Sequence, residues 1–180
     1  MPIDLPRRAT VLGCVAGFAL LGNLHSAEPT ERPASDAILP AIDEARARAV
    51  LLHEAVHATL HVVHRDFYRE DEGLPIPAAS MAKVFRRLEE QQGVTLRWLA
   101  VEGEAMNVDH KPRDAFERAA AKQIQEGDQP HEEVERGIYR RAAAITLSSE
   151  CLKCHVPDRK STEDRSAGLV ISMPVRGERK

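Results

Sequence analysis

The strongest chemical signal in this 180-residue chain is the segment CLKCH at residues 151–155. Its two thiols, Cys151 and Cys154, can add to the two vinyl groups of a haem as thioethers. The residue that follows, His155, can then reach the iron as its proximal ligand. The pattern therefore predicts one covalently attached haem c.

Two other uses of a C-x-x-C segment fit this chain less well. A thioredoxin-like redox pair lies where a strand leads into a helix of a βαβ unit, and no such unit is predicted around Cys151. A structural zinc site needs a second pair of ligands nearby, and the sequence offers none. Haem attachment remains the favoured hypothesis.

A second metal-like pattern lies in the segment HEAVHATLHVVH at residues 53–64. Its first five residues match H-E-x-x-H, in which two imidazoles on one helix face hold zinc beside a general base. The extended form of this motif needs a glycine and a third histidine where the chain has Leu60 and Val63. A zinc-dependent hydrolase using the HEAVH helix is therefore kept as the alternative function, with a distant glutamate as its third ligand.

The histidines of this segment share one side of the predicted helix. At about 100° per residue, His53, His57, His61 and His64 fall next to an apolar face, and the helix is predicted to be largely buried. A haem lying against the imidazoles would explain why they are grouped. The residues of the apolar face are Leu52, Val56, Thr59, Leu60, Val63 and Phe67.

One of these imidazoles is expected to bind the iron on its distal side. His57 is the first candidate, because its direction lies inside the group and a mid-helix position is rigid. His64 is the second candidate, and His53 and His61 follow. Methionine also pairs with histidine on the iron of many c-type cytochromes. The methionines that remain as alternatives are Met106 and Met173.

The beginning of the chain predicts export. Arg7 and Arg8 precede an apolar run from Ala9 to Gly22, which is typical of a signal peptide over residues 1–27. Cys14 weakly resembles a lipoprotein cleavage site, and a retained anchor is an open alternative, although the run is short for a membrane span. We therefore expect a periplasmic or otherwise extracytoplasmic protein, linked to a membrane only through an uncleaved signal or a lipid anchor.

The composition is that of one ordinary globular domain, with 43% hydrophobic and 29% charged residues. The formal net charge is -3. Proteins that bind phosphates usually carry a basic excess or a basic stripe, and neither is present. No nucleic-acid partner is expected.

The rest of the sequence supplies the elements that must position these groups. Helical periodicity and capping residues predict three helices, and apolar residues at every second position predict two strands. A third segment, residues 138–147, is interpreted as a strand, although its alanines would also suit a helix. This order predicts an α+β domain over residues 36–180, with a small antiparallel sheet, after a linker at 28–35. The predicted helices run from Asp36 or Pro40 to about Arg69, from Ser80 to Gly93 and over 113–126, and the strands over 94–101, 138–147 and 168–175.

Three segments resemble the exported haem-c domains of PAS-like fold, a family first described as a domain of unknown function. MNVDHKPRDAFER is similar to the family's Asn-rich loop and the Pro-x-Asp-x-aromatic-Glu pattern that follows it. YRRAAAITLSSECLKCH is similar to its arginine-bearing strand, which leads into the haem motif, and AGLVISMPV to its last core strand. These segments span about residues 94–176.

The resemblance implies a PAS-like antiparallel sheet with one covalent haem c. It implies a non-enzymatic role in electron transfer or in redox or small-gas sensing, with an unknown redox or signalling partner. Some members are thought to use a cysteine of the N-terminal helix as the distal ligand, and this chain has none there. Arginines on strands next to the haem are expected to meet its propionates; the candidates are Arg97, Arg140 and Arg141.

Overall fold

A computed structural model describes residues 39–102, 107–127, 129–149, 151–152 and 161–176. These belong to one compact unit within residues 38–180. The predicted signal peptide, the linker and Cys14 lie outside the described residues. The described fold is α+β, as predicted, with helices packed on a four-stranded antiparallel sheet.

Three α-helices form where capping residues indicate them: α1 is Ile42–Asp66, α2 is Pro77–Gln92 and α3 is Ala115–Gln125. The predicted start of α2 at Ser80 is three residues late, because Pro77 has a backbone dihedral already suited to the first turn. Gly93 ends α2 with φ +64°. The carboxylate of Asp114 accepts the Glu117 N–H at 2.9 Å and caps α3.

The four strands are β1, Thr95–Leu99; β2, His131–Glu135; β3, Ile138–Leu147; and β4, Arg165–Pro174. They lie in the order β1-β4-β3-β2, and every neighbouring pair is antiparallel. The bounds of β3 agree with the prediction, whereas β2 was not predicted. Arg136 and Gly137, with φ +50° and +75°, form the tight turn between β2 and β3.

Alternate residues of the strands supply two separate cores. Leu169, Ile171 and Met173 of β4 face α1 and α2, and Val170 faces α3. On the α3 side, Phe116 and its helical neighbours complete a small, closed cluster. The sheet therefore lies between α1 and α2 on one face and α3 on the other.

The prediction that α1 is largely buried is wrong. Its buried residues are Ala45, Ala49, His53 and Val56, all on the side that meets the sheet. Phe67, assigned to the buried face from the sequence, is 68% exposed, and Thr59 is exposed as well. Periodicity identifies apolar faces, but only the sheet determines which of them is covered.

The two ends of the described domain meet. The Arg176 N–H donates to the carbonyl oxygen of Pro40 at 2.9 Å, and the Val175 N–H donates to that of Gly137 at 2.8 Å. The chain that enters α1 and the chain that leaves β4 therefore lie side by side. Among the described residues, no helix combines the length and hydropathy needed to cross a bilayer.

Candidate functional site

The four histidines of α1, here called the imidazole row, lie on one side of the helix, as their spacing predicts. The ring centroids of His53 and His57 are 5.7 Å apart, and those of His57 and His61 are 4.7 Å apart. His64 differs from the others because its ring packs on Tyr68, with 5.0 Å between centroids. The row thus divides into three rings in edge-to-face contact, those of His53, His57 and His61, and one separate ring.

The three contacting rings lie along the backbone edge of β3. β2 pairs with β3 only as far as Ala142, so no described strand pairs with that edge beyond this residue. The Nε2 atom of His53 is 2.9 Å from the Ala144 oxygen, and that of His61 is 3.2 Å from the Thr146 oxygen. Between them, the Thr146 N–H donates to His57 Nε2 at 3.4 Å.

These contacts require a definite protonation pattern. A carbonyl oxygen accepts only, so His53 and His61 must carry a proton on Nε2. His57 Nε2 accepts, so it must be unprotonated. Burial, and then the nearby imidazoles of His61 and His53, lower the pKa of His57 from its ordinary 6.5, while Glu54 opposes the shift. The row therefore supplies alternating donors and acceptors to β3, much as a strand would.

Two neighbouring cavities lie beside the row. The first, here called the end cavity, is about 100 Å³ in volume and is lined by His61, His64 and Cys151, together with the end of β3. The second, the sheet cavity, is about 460 Å³ and lies between α2 and the sheet. Residues that line both cavities are Leu60, Ile76, Ala78 and Leu147.

The walls of the sheet cavity are mostly apolar, with polar groups among them. Trp98, Ile145 and Ala167 line it from the sheet, and the Trp98 indole N–H donates to the Ala78 oxygen at 3.1 Å, which ties α2 to β1. Arg165, at the start of β4, contributes a cationic side chain to the wall. The position of Arg165 in β4 accounts for its place in the cavity wall, because residues 165, 167 and 169 lie on the same face of that strand.

The predicted haem-attachment residues are only partly described. Cys151 is a half-buried free thiol, 3.5 Å from the Ser148 hydroxyl, and it lines the end cavity. Cys154 and His155 lie outside the described residues, as does the alternative ligand Met106. Met173 is 2% exposed within the core formed by α1, α2 and the sheet, and it lines neither of the two cavities.

The three arginines proposed for the propionates have other partners, so the described residues give that prediction no support. Arg97 donates to Glu117 at 2.5 Å, and Arg140 donates to Asp114 at 2.8 Å. Arg141 pairs with a glutamate of β2. None of the three lines the end cavity or the sheet cavity, and Arg165 is the strand arginine that lines the sheet cavity.

The zinc hypothesis receives no support from the described residues. Within them, no group of three or more His, Cys, Asp or Glu side chains is arranged to hold a metal ion. The Nε2 atoms of His53 and His57 both face the β3 backbone. Glu54 is exposed, with Oε1 3.3 Å from His53 Nδ1.

The fold and its cavities define an α+β domain whose antiparallel sheet borders an apolar chamber beside a cysteine and two imidazoles. The chain belongs to the Tll0287-like family, whose match covers residues 36–171. This confirms the family resemblance inferred from the motifs.

A solved structure described as the cyanobacterial heme-protein Tll0287 has a similar fold, with a TM-score of 0.58 and 15% sequence identity. The alignment covers 76% of this chain and 98% of that chain. No curated protein matches the chain.

Proposed function

We propose that this chain is an exported monohaem c-type cytochrome, with one covalent haem c held by Cys151 and Cys154 and bound at the iron by His155. The observation that carries the proposal is the position of Cys151. It lines the end cavity with His61 and His64, and four of that cavity's lining residues also line the larger sheet cavity. The similar structure, Tll0287, is described as a heme-protein, which supports the same conclusion.

The residues around the cavities fit such a group. A cavity of about 460 Å³ lies within the usual range of about 300–1,000 Å³ for small-molecule and cofactor sites. Its walls are mostly apolar, which suits a macrocycle, and Arg165 supplies a positive charge suited to a propionate. Thioether attachment at Cys151 would anchor the group in the neighbouring end cavity.

The contacts of the imidazole row favour His64 as the distal ligand over His57, the first candidate from the sequence. His57 Nε2 accepts the Thr146 N–H, and releasing it would leave that donor without this partner. No described backbone group of β3 pairs with His64, whose ring lines the end cavity near Cys151. His57 is the second candidate in this proposal, followed by His61 and His53.

The proposed role is electron transfer or redox or small-gas sensing, without catalysis. When bound, a haem supplies a one-electron couple and, where an axial position is exchangeable, a site for a small gas. The chain's own residues would exclude water from that group and orient it. The proposal places the protein in the periplasm or another extracytoplasmic compartment, with a redox or signalling partner still to be identified.

Covalent haem is tested by producing the protein with the cytochrome c maturation system and staining a denaturing gel for haem. The parent should stain, and the double variant Cys151→Ala/Cys154→Ala should not, because each thioether needs its sulfur. Cys14→Ala is the matched control and should stain like the parent. Stained haem in the double variant, or a colourless parent with stoichiometric zinc, would overturn the proposal.

The distal ligand is tested by replacing each histidine of the row singly with alanine. Loss of the ligand should convert a six-coordinate low-spin ferric spectrum into a five-coordinate or water-bound one, with faster carbon monoxide binding to the reduced protein. We expect this result for His64→Ala. His131→Ala, on β2, is the control and should leave the spectrum unchanged. If none of the four variants changes it, the row contains no iron ligand.

A further inference from the structure

The polar side chains of the sheet cavity meet where β1 ends and β4 begins. Arg165 and Ser166 are the first residues of β4, and Glu102 follows β1 closely in the chain. β1 pairs with β4 only from Ser172 to Gly168, so the chain that leaves β1 runs beside the start of β4. This end of the cavity therefore carries a carboxylate and a guanidinium, whereas most of the remaining wall is apolar.

The Glu102 carboxylate is fixed to the wall of the cavity. Its Oε1 atom accepts the Ser166 N–H at 2.8 Å, in a half-buried position. At Ser166 no residue of β1 is paired with β4, so the Glu102 carboxylate supplies the acceptor that a strand would otherwise supply. An ionised carboxylate has about four acceptor sites on its two oxygens, so this bond leaves Glu102 further capacity to bind a proton or a donor.

The charges at this end indicate which part of a haem it suits, a step that rests on the proposed function. The vinyl groups and the propionates of a haem occupy opposite halves of the macrocycle. Cys151, which would bind a vinyl carbon, lines the end cavity, so the propionates are expected in the sheet cavity. There, the single guanidinium of Arg165 would share the cavity with two propionates and the Glu102 carboxylate. Negative charges would then outnumber the permanent positive charge.

We propose that reduction of the bound haem is coupled to the uptake of one proton by the carboxylate cluster that Glu102 forms with the propionates. One electron from a one-electron donor reduces ferric iron to ferrous iron, and one proton from solvent binds this cluster, so the net charge of the site is unchanged. The added electron acts as a nearby negative charge, which favours the protonated form of a carboxyl group. The other described charged or titratable side chains near Glu102 are Arg165 and His110 in the cavity wall, and the exposed Glu163 and Asp164 that precede β4.

Proton coupling is tested by measuring the midpoint potential of the haem-loaded protein. From about pH 5 to pH 9 the potential should fall as the pH rises, by up to about 59 mV per pH unit, the value for one proton per electron. Glu102→Gln keeps an amide oxygen for the Ser166 N–H but binds no proton. It should reduce this slope at least twofold and raise the potential at neutral pH, because one negative charge is lost. Glu133→Gln, at an exposed position of β2, is the matched control and should change neither value.

Arg165 gives a second test with the opposite sign. Arg165→Gln should lower the potential, because the loss of a positive charge disfavours the added electron. A slope that His110→Gln abolishes and Glu102→Gln leaves intact would assign the proton to His110 and overturn the proposal. A potential independent of pH, in a protein that stains for covalent haem, would overturn this inference but leave the proposed function standing. A parent without covalent haem would overturn both. The absorption spectrum at each pH shows whether the iron keeps its ligands.

Discussion

The two faces of the sheet differ in how completely they are filled. At Gly168, a Cβ atom would lie 3.1 Å from Leu99 Cβ and 3.3 Å from Ile124 Cδ1, so the α3 face has no room for a methyl group. One residue earlier, Ala167 lines the sheet cavity on the opposite face. These two adjacent residues of β4 therefore face different surroundings. Gly168 faces the tightly packed α3 side of the sheet, and Ala167 faces the side that contains the cavity. The tightly packed α3 side of the sheet can keep the sheet cavity in shape without a bound ligand.

The two faces also satisfy their polar groups by different means. On the α3 face, Glu117 is 2% exposed and accepts hydrogen bonds from Arg97, Arg140 and the Arg113 N–H; we call this group the carboxylate clamp. Beside the cavities, imidazole side chains serve the β3 edge. The clamp joins a carboxylate to guanidinium groups, whereas the imidazole contacts depend on which ring nitrogen carries a proton.

The largest predicted effect is the loss of the carboxylate clamp. Glu117→Ala leaves two largely buried guanidinium groups without their shared partner, and removing one member of a buried pair costs about 3–5 kcal/mol. We expect the free energy of unfolding in urea to fall by about 3 kcal/mol, since the arginines keep some access to water. Glu133→Ala, at an exposed position of β2, should change it by less than about 0.5 kcal/mol. Equal losses would mean that the clamp contributes no special stability.

A smaller difference is predicted between adjacent positions of β4. In the haem-free double variant Cys151→Ala/Cys154→Ala, Gly168→Val should lower the free energy of unfolding by about 1–3 kcal/mol, because the closed face must expand. Ala167→Val places its added methyl groups in the sheet cavity and should stay within about 0.5 kcal/mol of the parent. If Ala167→Val is as costly as Gly168→Val, the two faces do not differ in packing.

The smallest predicted effect is a pH dependence that begins at the imidazole row. The folded pKa of His57 lies below 6.5, so the unfolded chain binds more protons just below that pH. In the haem-free double variant, stability should therefore fall as the pH drops below about 6.5, and His57→Gln should remove this first decline. The urea midpoint measured from about pH 7.5 to pH 3 records the profile.

The α3 side of the sheet should lose stability only at a lower pH than the imidazole row. Burial raises the pKa of Asp114, but the Glu117 N–H and Arg140 outweigh it, so the net pKa lies below 3.8. Its contribution is present above about pH 3.8 and is lost as the pH falls through its folded pKa. Asp114→Asn should therefore alter only the acid end of the profile. We therefore predict that stability declines first through His57 and then, at lower pH, through Asp114. A stability profile with a single decline that His57→Gln does not change would contradict this order.

Local sequence signals predict much of the fold. Strand β2, which was not predicted, shows the limit of those signals. β3 and β4 carry runs of apolar residues because their side chains are largely buried, and α2 and α3 have recognisable caps. β2, with the sequence HEEVE, has little apolar content because it is an edge strand with mostly exposed side chains. Its available signal was the Arg136–Gly137 turn, which lies directly before a strand that was recognised.

The candidate site was predictable in composition but not in its contacts. Helical spacing was enough to group His53, His57, His61 and His64 on one side. Their hydrogen bonds to β3 could not be foreseen, because they exist only where β2 stops and leaves a backbone edge for α1. The carboxylate partners of Arg97, Arg140 and Arg141 could not be foreseen for a similar reason, because the fold brings them together from other elements.

The hydrogen bond between the Arg176 N–H and the Pro40 oxygen has a consequence for engineering. Because the two ends of the domain are adjacent, a short flexible linker could join them without stretching the fold. New termini could then be opened at the Arg136–Gly137 turn, an exposed loop tip of the kind that tolerates such cuts. By the same geometry, the domain could be inserted into a surface loop of an unrelated host protein, entering and leaving at one point.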